Sequence, residues 1–118
     1  MQRHSWDQMS WESVTREISR KVINGRSVTV AQIHMKEGAV VPEYSHPNEQ
    51  VTIVVRGALR FRIGDEEQVL RPADVLVTAA NAPHRVAALE DTLAIDIFSP
   101  VRQDWLDHTD DYFHRKDA

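Results

Sequence analysis

Four side chains in this sequence could do chemistry together. Tyr44, His46 and Gln50 lie at even spacings within Gly38-Ala39-Val40-Val41-Pro42-Glu43-Tyr44-Ser45-His46-Pro47-Asn48-Glu49-Gln50. In an extended chain, even spacing projects side chains to one face. That face would carry a phenol, an imidazole and an amide oxygen, each able to ligate a divalent metal or to orient groups around one. His84, in Asn81-Ala82-Pro83-His84, lies far along the chain, and a barrel would bring it opposite His46. Neutral nitrogen and oxygen donors suit Ni, Fe, Mn, Zn or Co, and donor chemistry alone does not choose among them. His34, on a strand, and His4, His108 and His114, near the ends, read as non-ligands.

The elements that must position these groups read as short strands. Val22-Ile23 leads into Asn24-Gly25, a strong hairpin signal. Val28 to Met35 reads as the returning strand, ended by Gly38. Gln50 to Arg56 is rich in β-branched residues and is punctuated by Gly57. Leu59-Arg60-Phe61-Arg62-Ile63 alternates with period two, as a half-buried strand does; Arg60 and Arg62 then form a solvated face. Val69-Leu70, Val75 to Val77, His84 to Ala88 and Leu93 to Phe98 supply further strands, and Pro100 stops the last. Ser10 to Ser13 reads as a weak helical turn, and Asp104-Trp105-Leu106 as a short helix before a charged tail. The tryptophans are expected to pack the barrel ends or a subunit contact. Many short strands at close spacing mean a sandwich or closed barrel.

Composition narrows the partners. The chain has 118 residues, which suits one domain. Its formal net charge is −4, which argues against nucleic acid. No apolar run is long enough to cross a bilayer, so no membrane partner is expected. Cysteine is absent, which removes disulfides and thiolate ligands and fits a cytoplasmic location. An anionic ligand would need a specific local cation, because the global field repels it.

The spacing resembles the first cupin motif: glycine, five residues, His-x-His, three residues, Glu, six residues, glycine. Here it reads Gly38, five residues, Tyr44-Ser45-His46, three residues, Gln50, six residues, Gly57. In the second motif, Ala73 and Asn81 stand for glycines, Ala79 for a proline and Ala88 for an asparagine, and only His84 remains as a functional residue. The resemblance covers roughly residues 22 to 106. It implies an all-β jelly-roll barrel, a cupin double-stranded β-helix. The barrel core would span about 22–100, with a short helix and tail over 101–118, in a single domain. It also implies one divalent metal on His46, Gln50 and His84. Gln50 stands for the usual acidic ligand, leaving more positive charge on the metal. Tyr44 stands for the first histidine, as a ligand or as a neighbouring acid–base group.

The end of the chain narrows the resemblance. Asp96-Ile97-Phe98-Ser99-Pro100-Val101-Arg102-Gln103-Asp104-Trp105-Leu106 is similar to the end of the small pectin-degradation cupins, the KdgF family. His46-Pro47-Asn48-Glu49-Gln50 resembles their first motif, glutamine included. Those proteins open 4,5-unsaturated uronates to linear keto acids. The resemblance implies that Asp96, Phe98 and Arg102 are active-site residues, with Tyr44 beside them. Asp96 would move protons, Arg102 would hold the substrate carboxylate, and Phe98 would wall the sugar ring. The expected partner is thus a small anionic or sugar-like molecule, with a homodimer formed through an edge at residues 16–36. A lyase or dioxygenase on the same barrel, or a non-catalytic small-molecule-binding cupin, are the other readings of these residues.

Overall fold

The computed structural model describes residues 1–111. The tail beyond them, with His114, lies outside the described residues. After a 3-10 turn at Trp6–Gln8 come β1 (Glu12–Ser13), β2 (Ile18–Asn24), β3 (Thr29–Met35), β4 (Val40–Tyr44) and β5 (Glu49–Arg56). They are followed by β6 (Leu59–Ile63), β7 (Glu66–Leu70), β8 (Val75–Thr78), β9 (His84–Ala88), β10 (Thr92–Ser99) and the short helix α1 (Gln103–Leu106). One sheet has the order β1-β2-β3-β10-β5-β8 and the other β4-β9-β6-β7. All pairings are antiparallel, and the two sheets face each other as a jelly roll.

Period-two alternation decides what faces inward. On the smaller sheet, Val41, Leu59, Phe61, Leu70, Val86 and Ala88 turn into the core. Arg60 and Arg62 turn out to solvent, as the alternation predicts. On the larger sheet the inward faces of β3, β10 and β5 line up in register. Asp96 sits between Ala31 and Thr52, and Phe98 between Thr29 and Gln50. Apolar residues such as Ile18, Met35, Val54 and Ala94 fill one half of the barrel. The other half, at the Phe98 end, carries the polar inward residues.

Several expectations are corrected. The 24–25 hairpin is a longer loop, Gly25 to Val28, closed by Gly25 N–H donating to Val28 C=O at 2.7 Å. The barrel begins at Ile18, four residues earlier than its expected start, because Ile18 is itself core. Residues 10–13 form no helical turn; Glu12 and Ser13 pair with Arg20 and Ser19. That pairing changes the expected dimer edge. β3 is internal to its sheet, and part of the outer edge of β2 is covered by β1, so residues 16–36 present no free edge over that stretch. Outward apolar surface lies elsewhere. Register places Ile23, Val30, Ile97, Val51 and Val77 in one row across the outside of the larger sheet.

The degenerate second motif keeps its backbone shape. Ala73 has φ 76° and Asn81 φ 65°, both left-handed, where the motif has glycine. Asparagine tolerates this region and alanine does not. Gly57, at φ 93°, has a second constraint: a Cβ there would collide with Asp91 C=O and the Thr92 side chain. Ala73→Gly is therefore expected to raise stability by about 0.5–1 kcal/mol, and Gly57→Ala to lower it by about 3 kcal/mol or more, as read from urea midpoints.

Candidate metal centre

His46 lies in the loop that carries the chain from β4 in one sheet to β5 in the other. It is therefore not on an extended face with Tyr44, as the even spacing suggests. The crossover itself brings the residues together. The His46 ring centroid is 5.2 Å from that of His84 and 5.4 Å from that of Tyr44, and Tyr44 is 4.4 Å from His84. Tyr44 and His84 are also register partners across β4 and β9. The ring of Tyr44 thus lies against both imidazoles.

Hydrogen bonds set the tautomers. His46 Nδ1–H donates to Asn48 C=O at 3.0 Å, and His84 Nδ1–H donates to Ala82 C=O at 2.8 Å. A neutral imidazole with its proton on Nδ1 has a lone pair on Nε2. His84 Nε2 is buried with no hydrogen-bond partner among the described residues. His46 Nε2 lies 3.0 Å from Gln50 Oε1. The Gln50 amide nitrogen points the other way, to Thr52 Oγ1 at 3.0 Å and Asp96 Oδ1 at 3.2 Å. Ionised Asp96 can only accept, which holds that amide orientation.

Two lone pairs, on His46 Nε2 and Gln50 Oε1, therefore face each other. A proton or a cation would relieve the contact. Burial, the Arg102 charge and His84 hold the His46 pKa down to about 4, so it is neutral at pH 7. Burial likewise lowers the His84 pKa, against its bond to Ala82 and with help from the Arg102 charge. A divalent cation fits: His46 Nε2, His84 Nε2 and Gln50 Oε1 are neutral donors, with Nδ1–H groups anchored as metal-ligating imidazoles usually are. Among the described residues no cluster of three His, Cys, Asp or Glu forms, because the third donor is an amide.

Asp96 stands behind that set. Its Oδ1 accepts from Thr52 Oγ1–H at 2.6 Å and from Gln50. Burial pushes its carboxyl up to about 6, against the lowering effect of Thr52, Gln50 and Arg102. It lines an interior cavity of about 40 Å³, together with Tyr44, Gln50, Thr52, Phe98 and Trp105 among others. That volume holds about one to three waters. Phe98 packs edge-on to His46 at 5.6 Å.

Arg102 is fully buried rather than solvated. Its Nε and Nη2 donate to the two Asp104 oxygens at 2.9 and 2.7 Å. The guanidinium stacks on Phe98 at 4.7 Å and on Trp105 at 4.3 Å. Burial works to raise the Asp104 pKa, but the bonds and charge of Arg102 outweigh it and hold the carboxyl below its usual range. The sequence reading did not single out Thr52, Asn48 or Asp104. Asn48 ties the His46 loop to the chain end by donating to Pro100 C=O at 2.6 Å and Val101 C=O at 3.1 Å. Asp104, two residues from Arg102, carried the one usable signal. His34 lies away from the site, 6.2 Å from Trp11.

The depressed His46 pKa has a stability consequence. Its contribution is present above the unfolded value of about 6.5 and is lost as pH falls through about 4. In the metal-free protein, wild type should lose more stability between pH 7 and pH 4.5 than His46→Gln does, measured by urea unfolding at each pH.

Known proteins place this geometry. A family model described as Cupin domain matches residues 31–98. The fold is similar to that of KdgF from Halomonas sp., at 32% identity and TM-score 0.81, over 86% of this chain and 96% of that one. It is also similar to an RmlC-like cupin from Shewanella frigidimarina, at 22% identity and TM-score 0.81, over 86% and 93%. An oxalate decarboxylase formate complex from Lactobacillus farciminis matches at 16% identity and TM-score 0.73, over 90% of this chain and 37% of that one. No match is found among curated proteins. With a family model over more than half its length and its two motifs on a jelly roll, the chain belongs to the cupin family, as a small cupin similar to KdgF.

Proposed function

We propose that this cupin opens 4,5-unsaturated uronates to linear keto acids, with a divalent metal held by His46, Gln50 and His84 and with Tyr44 beside it. The observation that carries the reading is the buried hydrogen bond from Gln50 Nε2–H to Asp96 Oδ1, on the amide whose oxygen faces His46 Nε2. It joins a group able to carry a proton near neutral pH to the donor set. The 32% identity to KdgF from Halomonas sp. supports the choice of substrate.

A bound divalent cation would supply Lewis-acid polarisation of substrate oxygens. The rest of the chemistry is an isomerisation. The anomeric hydroxyl loses its proton and becomes a carbonyl as the bond from the anomeric carbon to the ring oxygen breaks. The ring oxygen leaves as an enolate, and a proton added to the alkene carbon that does not bear that oxygen turns the enolate into a ketone. Asp96 faces the cavity and can take and return that proton, with Tyr44 as a second acid–base group. Phe98 would wall the sugar ring. Arg102 would bring positive charge toward the substrate carboxylate, sharing its guanidinium with Asp104.

Metal-loaded wild type should abolish the ultraviolet absorbance of a conjugated unsaturated uronate. Asp96→Asn should lower kcat by about 100-fold or more. Unchanged absorbance with the metal-loaded wild type would sink the proposal. It would favour a binding cupin without catalysis, a reading supported by the small cavity and by the pairing of Arg102 with Asp104.

The homodimer expectation moves from the 16–36 edge to the outer face of the larger sheet. The occupant proposed is a second copy, because the row from Ile23 to Val77 is apolar across five strands, and Val75 and Val77 are more than half exposed. Val77→Lys should leave the melting midpoint within a few degrees and halve the mass seen by light scattering. A wild type of monomer mass would reject the pairing.

A further inference from the structure

The barrel carries four buried inward threonines, and three of their hydroxyls are engaged. Thr29 Oγ1–H donates to Asn24 Oδ1 at 2.6 Å and accepts from the Arg102 N–H at 2.9 Å. Thr52 donates to Asp96. Thr92 bonds the carbonyls of Ala58 and Glu90 at 3.2 and 2.9 Å. Thr78 differs. It is 1% exposed, and its Oγ1 has no hydrogen-bond partner among the described residues. A buried hydroxyl left unpaired is costly, and valine has the same shape without that cost. Such an atom needs an explanation.

Its place in the ladder supplies one. Thr78 is the register partner of Gln50 on β5, on the same inward face. Directly opposed side chains in such a pair are neighbours, at about 4.5–5.5 Å between Cβ atoms. His84 Nε2 is likewise buried with no hydrogen-bond partner among the described residues. Both flank the His46–Gln50 pair: Thr78 through the ladder, and His84 through its 5.2 Å ring contact with His46. Structural needs explain neither atom. A cation on His84 Nε2 with a ligand oxygen beside it would use both.

We propose that Thr78 is a ligand-binding residue whose hydroxyl donates a hydrogen bond to an oxygen of the molecule bound at His46, Gln50 and His84. A hydroxyl donor beside a cation selects for oxygen acceptors, carboxylates above all. The inference rests on the reading of those three residues as a cation site and deepens it by naming a donor for the ligand.

The test compares wild type, Thr78→Val and Thr78→Ser in the full-length protein. Thermal unfolding is followed in chelator, Co²⁺ uptake by visible absorption, and binding of formate, the smallest carboxylate, by its effect on the Co²⁺ spectrum. Thr78→Val should raise the midpoint in chelator by a few degrees, take up Co²⁺ like wild type, and bind formate about 10-fold more weakly. Thr78→Ser should bind formate like wild type, since it keeps the donor. A lower midpoint for Thr78→Val in chelator would show that the hydroxyl serves the fold and overturn the proposal. Formate affinity unchanged in Thr78→Val, or not restored in Thr78→Ser, would overturn it too, as would a Co²⁺-loaded wild type blind to formate. A wild type that takes up no Co²⁺ would overturn the cation reading itself, and the ligand role of Thr78 with it.

Discussion

The structure of the site turns on two lone pairs that face each other across 3.0 Å, one on His46 Nε2 and one on Gln50 Oε1. Neither group can turn away at low cost. Turning the imidazole would break its bond to Asn48 C=O, and turning the amide would break its bonds to Thr52 and Asp96. Protonation is the ordinary escape, and burial beside Arg102 disfavours it at neutral pH. A cation between the two would also relieve the contact. The bonds to Asn48 C=O, Thr52 and Asp96 that make this arrangement rigid are the same ones that would orient metal ligands.

The barrel can hold this arrangement because it divides its labour along its length. One half is packed with aliphatic and aromatic side chains and supplies the burial that stabilises the fold. The other half spends its inward positions on Gln50, Thr52, Thr78 and Asp96. β10 serves both: Ala94 belongs to the apolar half, while Asp96 and Phe98 reach the site. An ionisable group inside a strand is costly unless it is hydrogen bonded, and Thr52 and Gln50 meet that need while coupling Asp96 to the donor set.

The chain end closes this half of the barrel. Trp105 lies between two guanidiniums, Arg20 and Arg102, each 4.3 Å from its ring. Arg20 also pairs with Asp110 at 2.8 Å, and Arg102 with Asp104. A buried guanidinium is tolerable only when its charge is met, and these carboxylates meet it. The closure thereby brings a positive charge close to the imidazoles, which is one reason their pKa values are lowered.

The sequence by itself determined the fold class and proposed the donors. Strand alternation and glycine punctuation were enough to point to a barrel, and the resemblance of Gly38 to Gly57 and of the His84 segment to the cupin motifs singled out His46, Gln50 and His84. Local signals carry that information, because a glycine at φ 93° or a period-two strand needs no distant partner. Only the tertiary structure decided the rest. It showed that His46 reaches Gln50 through a crossover loop and not along an extended face. It showed that β1 covers part of the expected edge and that Arg102 is a buried partner of Asp104. It also revealed that the Thr78 hydroxyl has no hydrogen-bond partner among the described residues. These facts depend on which strand lies beside which, and on which atoms burial leaves unpaired. Contacts between residues far apart in the chain settle both, and no local pattern encodes them.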